Sequence, residues 1–516
     1  MHAALRNLEV IHVVSSHTEH GTLPALASAC RAFQSPALNV LWRDLHSVEP
    51  LLRCLPADLF GFDRGCTVLQ KPLDNTMWDT LFKYTLRVRS ITVKRTSHPS
   101  AIIGSLSVIM LSYPSASAPL FPNLRELTWY AGGYHFTAEF LRMTLVPSLR
   151  VLTLRFTSAS SSFLSLLSSL GTLCPHLQNM TLKYYPAMED LSNKLSPFIA
   201  QSISQLRNLH TLMLWDLANP GMDHIMQLQA LRTLDLDLRT SSVGERQSLL
   251  PFPGFHHLNY LCLRFNAFGR ATELLSSLEV IRSKKIKISF TPGKAESSES
   301  LSASLSQFLA ILLEICDNKE LQRFSLMGSR VIIIHTEFAV FAPLRAFRNL
   351  IVLQIERGYS TSISDGELCQ MVAAWPMLQV LKISCYIAID TTAVPTFCGL
   401  LGVLRLCPFL TSLALAIDTT SLEGINLRNP GGENLNTRLN DLTLGNSLIA
   451  SPLNVALILS GIFPCLEQVD LDCWNTAPMD LLLSAHDKNL AMEKWASVNS
   501  LLDGFNLVRE RVVTSG

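Results

Sequence analysis

Pro122-Asn-Leu-Arg-Glu-Leu-Thr-Trp129 carries the phrase that decides this chain's fold, and Pro147-Ser-Leu-Arg-Val-Leu-Thr-Leu154 repeats it 25 residues later. The phrase is an apolar residue, two of any kind, an apolar, one of any kind, and an apolar. Pro175-His-Leu-Gln-Asn-Met-Thr-Leu182, Pro376-Met-Leu-Gln-Val-Leu-Lys-Ile383 and Pro464-Cys-Leu-Glu-Gln-Val-Asp-Leu471 are further clear copies. First apolar positions fall at Leu124, Leu149, Leu177, Leu209, Leu231 and Leu258, then at Leu321, Leu350, Leu378, Leu410, Leu439 and Leu466. The steps are 25, 28, 32, 22 and 27, a gap of 63, then 29, 28, 32, 29 and 27. The gap has room for two repeats, and Ser283-Lys-Lys-Ile286-Lys-Ile288 sits in it as a degenerate copy.

The alternation that closes each phrase predicts a strand, and apolar residues at helical spacing predict a helix leading to the next one. Such helical stretches lie at 138–145, 162–173, 195–206, 272–281, 300–316, 367–375, 395–406 and 452–463. The prolines ahead of many phrases disfavour helix at the residue before them. A short repeat of this kind marks a leucine-rich-repeat α/β solenoid: parallel strands on a curved sheet, helices outside. Strands are expected near residues 127, 152, 180, 212, 234, 261, 324, 353, 381, 413, 442 and 469, with Val88–Val93 opening the array. The array covers 88–490, and a helical run through Trp495, Val498, Leu501 and Leu502 in 491–516 would cap its open end. Segments 112–119, 291–300 and 426–436 are rich in turn-forming or polar residues and read as loops.

Hydrophobic residues make up 48% of the chain and charged ones 16%, ample material for a long core. The net charge of +1, from 42 Lys plus Arg against 41 Asp plus Glu, argues against a nucleic-acid partner. The 12 cysteines show no paired metal-type spacing and read as reduced, which suits the cytosol or nucleus. No apolar run reaches the roughly 20 residues of a membrane span, so no membrane partner is expected. Phosphate-binding, metalloprotease and serine-hydrolase motifs are absent, so neither enzymatic activity nor a cofactor nor a metal is expected.

Residues 1–56 do not follow the repeat, and 57–87 connect them to it. Residues 3–14 predict one short helix, 22–33 a second broken at Ser35-Pro36, and 37–45 a third. Leu26-Ala-x-x-Cys30-Arg31-x-Phe33, then Pro36-Ala-Leu and Leu41-Trp42-Arg43-x-Leu45, resembles the second and third helices of an F-box. The continuation Pro50-Leu-Leu-Arg-Cys-Leu-Pro56, with Tyr-x-x-Arg-Val-Arg-x-Ile from Tyr84 to Ile91, is similar to F-box proteins of mushroom-forming fungi that carry leucine-rich repeats. The first helix departs from that pattern: Asn7-Leu8-Glu9-Val10 lacks the usual proline, and Val13-Val14 the usual phenylalanine.

The resemblance implies a substrate-recognition subunit of a Skp–cullin–F-box ubiquitin ligase. On that reading Leu8, Val10, Leu23, Leu26, Cys30, Leu38 and Leu41 dock a Skp-type adaptor and, through it, a cullin. The alternative is a leucine-rich-repeat scaffold or inhibitor outside any ligase. Strand alternation places a second set on the concave face to hold a protein substrate: Tyr130, Arg155, Lys183, Trp215, Asp237, Arg264, Lys287, Glu356 and Lys382.

Overall fold

In a computed structural model of the chain, every first apolar position of the twelve phrases is buried, none more than 5% exposed. The structure describes residues 7–63, 66–93, 119–131, 137–185, 192–239, 252–292, 298–328, 334–356, 359–383, 386–387, 393–432, 436–475 and 484–515. The loop segment expected at 112–119 lies largely outside the described residues, as do 293–297 of 291–300 and part of 426–436, while 298–300 are helix and not loop. The described residues form two compact units, one to Arg232 and one from Thr233.

The first unit holds β1 (Asp44–Leu45), an antiparallel hairpin of β2 (Phe60–Asp63) and β3 (Cys66–Leu69), then β4 (Ser90–Val93), β5 (Glu126–Ala131), β6 (Val151–Phe156), β7 (Asn179–Tyr184) and β8 (Thr211–Trp215). Here β1, β4, β5, β6, β7 and β8 pair in that order, all parallel. In the second unit β9 (Thr233–Asp237), β10 (Phe255–Phe265), β11 (Ile281–Phe290), β12 (Arg323–Met327), β14 (Val352–Glu356), β16 (Val380–Ile383), β17 (Ser412–Leu415) and β18 (Asp441–Thr443) form a parallel sheet. A separate parallel pair joins β13 (Ile334–Glu337) to β15 (Tyr359–Ser362). Successive helices pack on one another within each unit, as in Phe268–Ser276 on Ser298–Ile315. Each unit is a leucine-rich-repeat α/β solenoid, and β11 is the degenerate copy.

Several expectations need correction. The last phrase makes no strand near 469: the Asp470 N–H donates to the Leu442 carbonyl at 2.7 Å, and the N–H and C=O of Val469 bond the side chain of Asn499, at 2.8 and 3.0 Å. Asn499 lies on the C-terminal helix Ala485–Ser515, which buries Trp495, Val498 and Leu502 and packs on helix Pro452–Ile462. The first helix, α1, runs Leu8–His17, past the expected end at 14; the Asn7 side chain accepts the Glu9 N–H and caps it, and residues 3–6 of the expected helix lie outside the described residues. The second, α2 (Leu23–Ala29), stops at the extended Cys30, and the third, α3 (Arg31–Leu41), runs through Pro36, whose ring removes one N–H without ending it. Residues 44–45 are strand rather than helix, so the sheet starts inside the segment read as a separate bundle. The helix expected at 272–281 ends at Ser276, and β11 begins at Ile281.

Candidate functional site

The side chains between buried apolar residues leave one face of each sheet open, as β6 shows: Leu152, Leu154 and Phe156 are buried while Arg155 is exposed. In the first unit the register sets Tyr130 opposite Arg155, and Arg155 opposite Lys183. Neighbouring strands lie about 4.8 Å apart, so these three form one short row. Trp215 does not join it. Its backbone pairing with β7 stops at Met213, and the ring turns inward, 3% exposed. It packs edge-on to Phe156 at 6.0 Å and tilted to Tyr184 at 6.3 Å, and its Nε1 donates to Ser196 Oγ at 3.4 Å. The correction has a plain cause: a large ring at a strand end gains more from an apolar pocket than from water.

In the second unit Asp237 pairs in register with Arg264, yet both charges are already engaged. Arg264 reaches across to the buried Asp235 at 2.5 Å, and Asp237 ion-pairs with Arg239. Lys382 lies 3.1 Å from Asp441. Lys287 is half-buried between Cys262 and Ser325, and Glu356 stands in register with Met327.

Beside Lys287, the exposed Lys285 and Arg323 face each other across β11 and β12, next to the half-buried Tyr260. Burial first, then Cys262 and Asp235, raise the Tyr260 phenol well above its usual range. Sequence reasoning named Lys287 but passed over Lys285 and Arg323, because it followed later positions of the phrase. The signal was the Lys-Lys pair of the degenerate copy.

At the N-terminus the expected adaptor set divides. Leu23 is fully buried and packs within the bundle, so it is not available to a partner. Leu26, Leu38, Leu41 and Val10 are half-buried, Cys30 is exposed, and Leu8 is 72% exposed. Trp42 stacks on Tyr84 at 4.4 Å. Two residues outside the set complete a stripe: Val13 and Val14, 57% and 39% exposed, lie with Val10 at helical spacing on one side of α1.

Burial pushes the thiols of Cys174, Cys316, Cys407 and Cys473 up to about 12 and that of Cys262 to about 11. Thiols held protonated in this way are poor nucleophiles. Among the described residues no helix is long and apolar enough to cross a membrane. No family model matches the chain, and no curated protein is similar to it. Among solved structures, a chain of the crystal structure of the Rad7 and Elc1 complex in yeast is similar at 14% identity, over 75% of this chain and 90% of that one, with a TM-score of 0.30.

Proposed function

We propose that this chain is a non-enzymatic recognition subunit of a ubiquitin ligase, with its N-terminal helices docking a Skp-type adaptor and the open sheet faces holding a protein substrate. One observation carries the reading: α1 is folded and capped, yet leaves Val10, Val13 and Val14 as an apolar stripe toward solvent. An apolar stripe on a short surface helix is a docking feature, since covering each valine contributes about 1.5 kcal/mol or more. The Tyr130–Arg155–Lys183 row and the Lys285–Lys287–Arg323 group supply the aromatic and cationic anchors of a protein interface. Such a subunit works by proximity, holding target lysines near the ubiquitin-loading machinery without doing chemistry itself.

The test is binding of purified Skp-type adaptor to the full chain and to the double change Val13→Asp and Val14→Asp. Deleting residues 1–50 is less clean, because it strips β1 from β4. Micromolar binding that disappears in the double variant supports the reading. A parent chain that does not bind at micromolar concentration leaves a leucine-rich-repeat scaffold outside any ligase.

A further inference from the structure

Near the start of the first unit's sheet, four arginines meet. Arg43, Arg87, Arg89 and Arg125, with His12 and Asn123, line a cleft of about 250 Å³. Three of them are set there by the repeat itself. The Arg89 N–H donates to the Arg43 carbonyl and the Arg125 N–H to the Arg89 carbonyl, each at 2.8 Å, so all three occupy one register position on successive strands. At about 4.8 Å between strands their side chains leave the sheet in a single file. The file continues outward, because the Arg150 N–H donates to the Arg125 carbonyl at 2.8 Å.

The fourth, Arg87, is fixed from behind. Its Nε donates to the Lys83 carbonyl and its Nη1 to the Ser35 carbonyl, both at 3.2 Å, and Nη1 also reaches the Asn39 side chain. Asn123 closes the wall by donating to the Leu86 carbonyl at 2.8 Å. Arg43 spends its Nε on Asp44 at 2.8 Å, and among the described residues this is the one ion pair of the four arginines. The guanidiniums of Arg89 and Arg125 have no hydrogen-bond or ion-pair partner among the described residues.

Like charges held at strand spacing repel until an anion sits between them. A guanidinium is a planar fork of donors that matches phosphate oxygens two at a time, and a converging set of them selects a compact dianion. The cleft has room for a phosphate group together with part of the group it esterifies, and the chain's net charge of +1 shows that this concentration of positive charge is local. We propose that the cleft binds a phosphate monoester, with Arg89 and Arg125 gripping the dianion and Arg43 and Arg87 forming the positive floor. The proposal does not rest on the adaptor reading, although His12 of α1 lines the cleft beside the stripe.

The experiment measures thermal unfolding and calorimetric binding of the full chain with inorganic phosphate, phosphoserine and a Gly-phosphoserine-Gly peptide, against chloride at equal ionic strength. Phosphate and phosphoserine should raise the unfolding midpoint where chloride does not. Arg89→Ala with Arg125→Ala should weaken binding at least tenfold while leaving the midpoint in chloride unchanged, since both side chains are exposed. Should that variant fold poorly, Arg89→Lys with Arg125→Lys keeps the charge, loses the fork and should still bind several-fold more weakly. Tighter binding of the peptide than of free phosphoserine assigns the ester to a peptide side chain; equal binding assigns it to a soluble ester. Equal midpoints in phosphate and chloride, or undiminished phosphate binding in the folded variants, would overturn the proposal.

Discussion

Helix α1 and the phrase from Leu149 to Leu154 show two ways of handling apolar residues. In the phrase, Leu149, Leu152 and Leu154 are at most 1% exposed, because the next strand and the next helix cover each repeat in turn. In α1 only Ile11 among the apolar residues is covered, and the valines beside it meet water. A repeat is finished by its neighbours, whereas among the described residues α1 packs mainly on α3. The comparison separates residues that hold the molecule together from residues that wait for another molecule, and substitutions can break or sharpen it.

The largest effect should come from Trp215. As a covered ring packed on Phe156 and Tyr184, its replacement by Ala should cost about 3–5 kcal/mol in urea unfolding. A loss below about 1 kcal/mol would return Trp215 to the open face. Arg264→Ala comes next. It leaves the buried Asp235 without its cation, which should cost about 2 kcal/mol, whereas Arg155→Ala on the exposed part of β6 should cost less than about 0.5 kcal/mol. Equal losses at the two arginines would contradict the ion-pair assignment.

A smaller effect belongs to the capping box of helix Asp365–Val372. There the Ser364 hydroxyl and N–H donate to Glu367 at 2.6 and 2.8 Å, and the Glu367 N–H donates back to the hydroxyl at 3.3 Å. The bonds from the Ser364 side chain, then its backbone, hold the Glu367 carboxyl below the usual glutamate range. A lowered folded value means the contribution is fully present above the unfolded value of about 4.3 and disappears as pH falls through the folded one. Ser364→Ala should therefore cost about 1 kcal/mol at neutral pH and progressively less in acid, read from urea midpoints across pH. A cost that stays constant into acid would remove the carboxylate from the box.

The repeat was legible because one covered leucine recurs at nearly constant spacing, and burial of that leucine is what stacking requires. Trp215 was not, since alternation along β8 continues on paper beyond the point where pairing with β7 stops. The short β1 has no periodicity to read, and only its pairing with Ser90 and Ile91 makes it a strand. Val469 has the full phrase around it, yet its N–H and C=O bond the side chain of Asn499, 30 residues away, and no further strand. The arginine file went unread for a related reason: position two of the phrase accepts any residue, so each arginine alone looks solvated, and only strand register lines them up. On α1, Val10, Val13 and Val14 share a side under either set of bounds, and what the sequence does not show is that Ile11 alone among the apolar residues is covered.

The central claim is that the uncovered stripe of α1 is a docking surface rather than a packing defect. Titrating purified Skp-type adaptor into the full chain, beside the variant carrying Val13→Asp and Val14→Asp, tests it most directly. Both side chains already face water, so the variant should keep its unfolding midpoint within about 0.5 kcal/mol. It should nonetheless lose micromolar binding, because a desolvated carboxylate costs several kcal/mol against the roughly 8 kcal/mol of such a complex. Binding equal to the parent chain, or a parent chain that does not bind at all, would contradict the account.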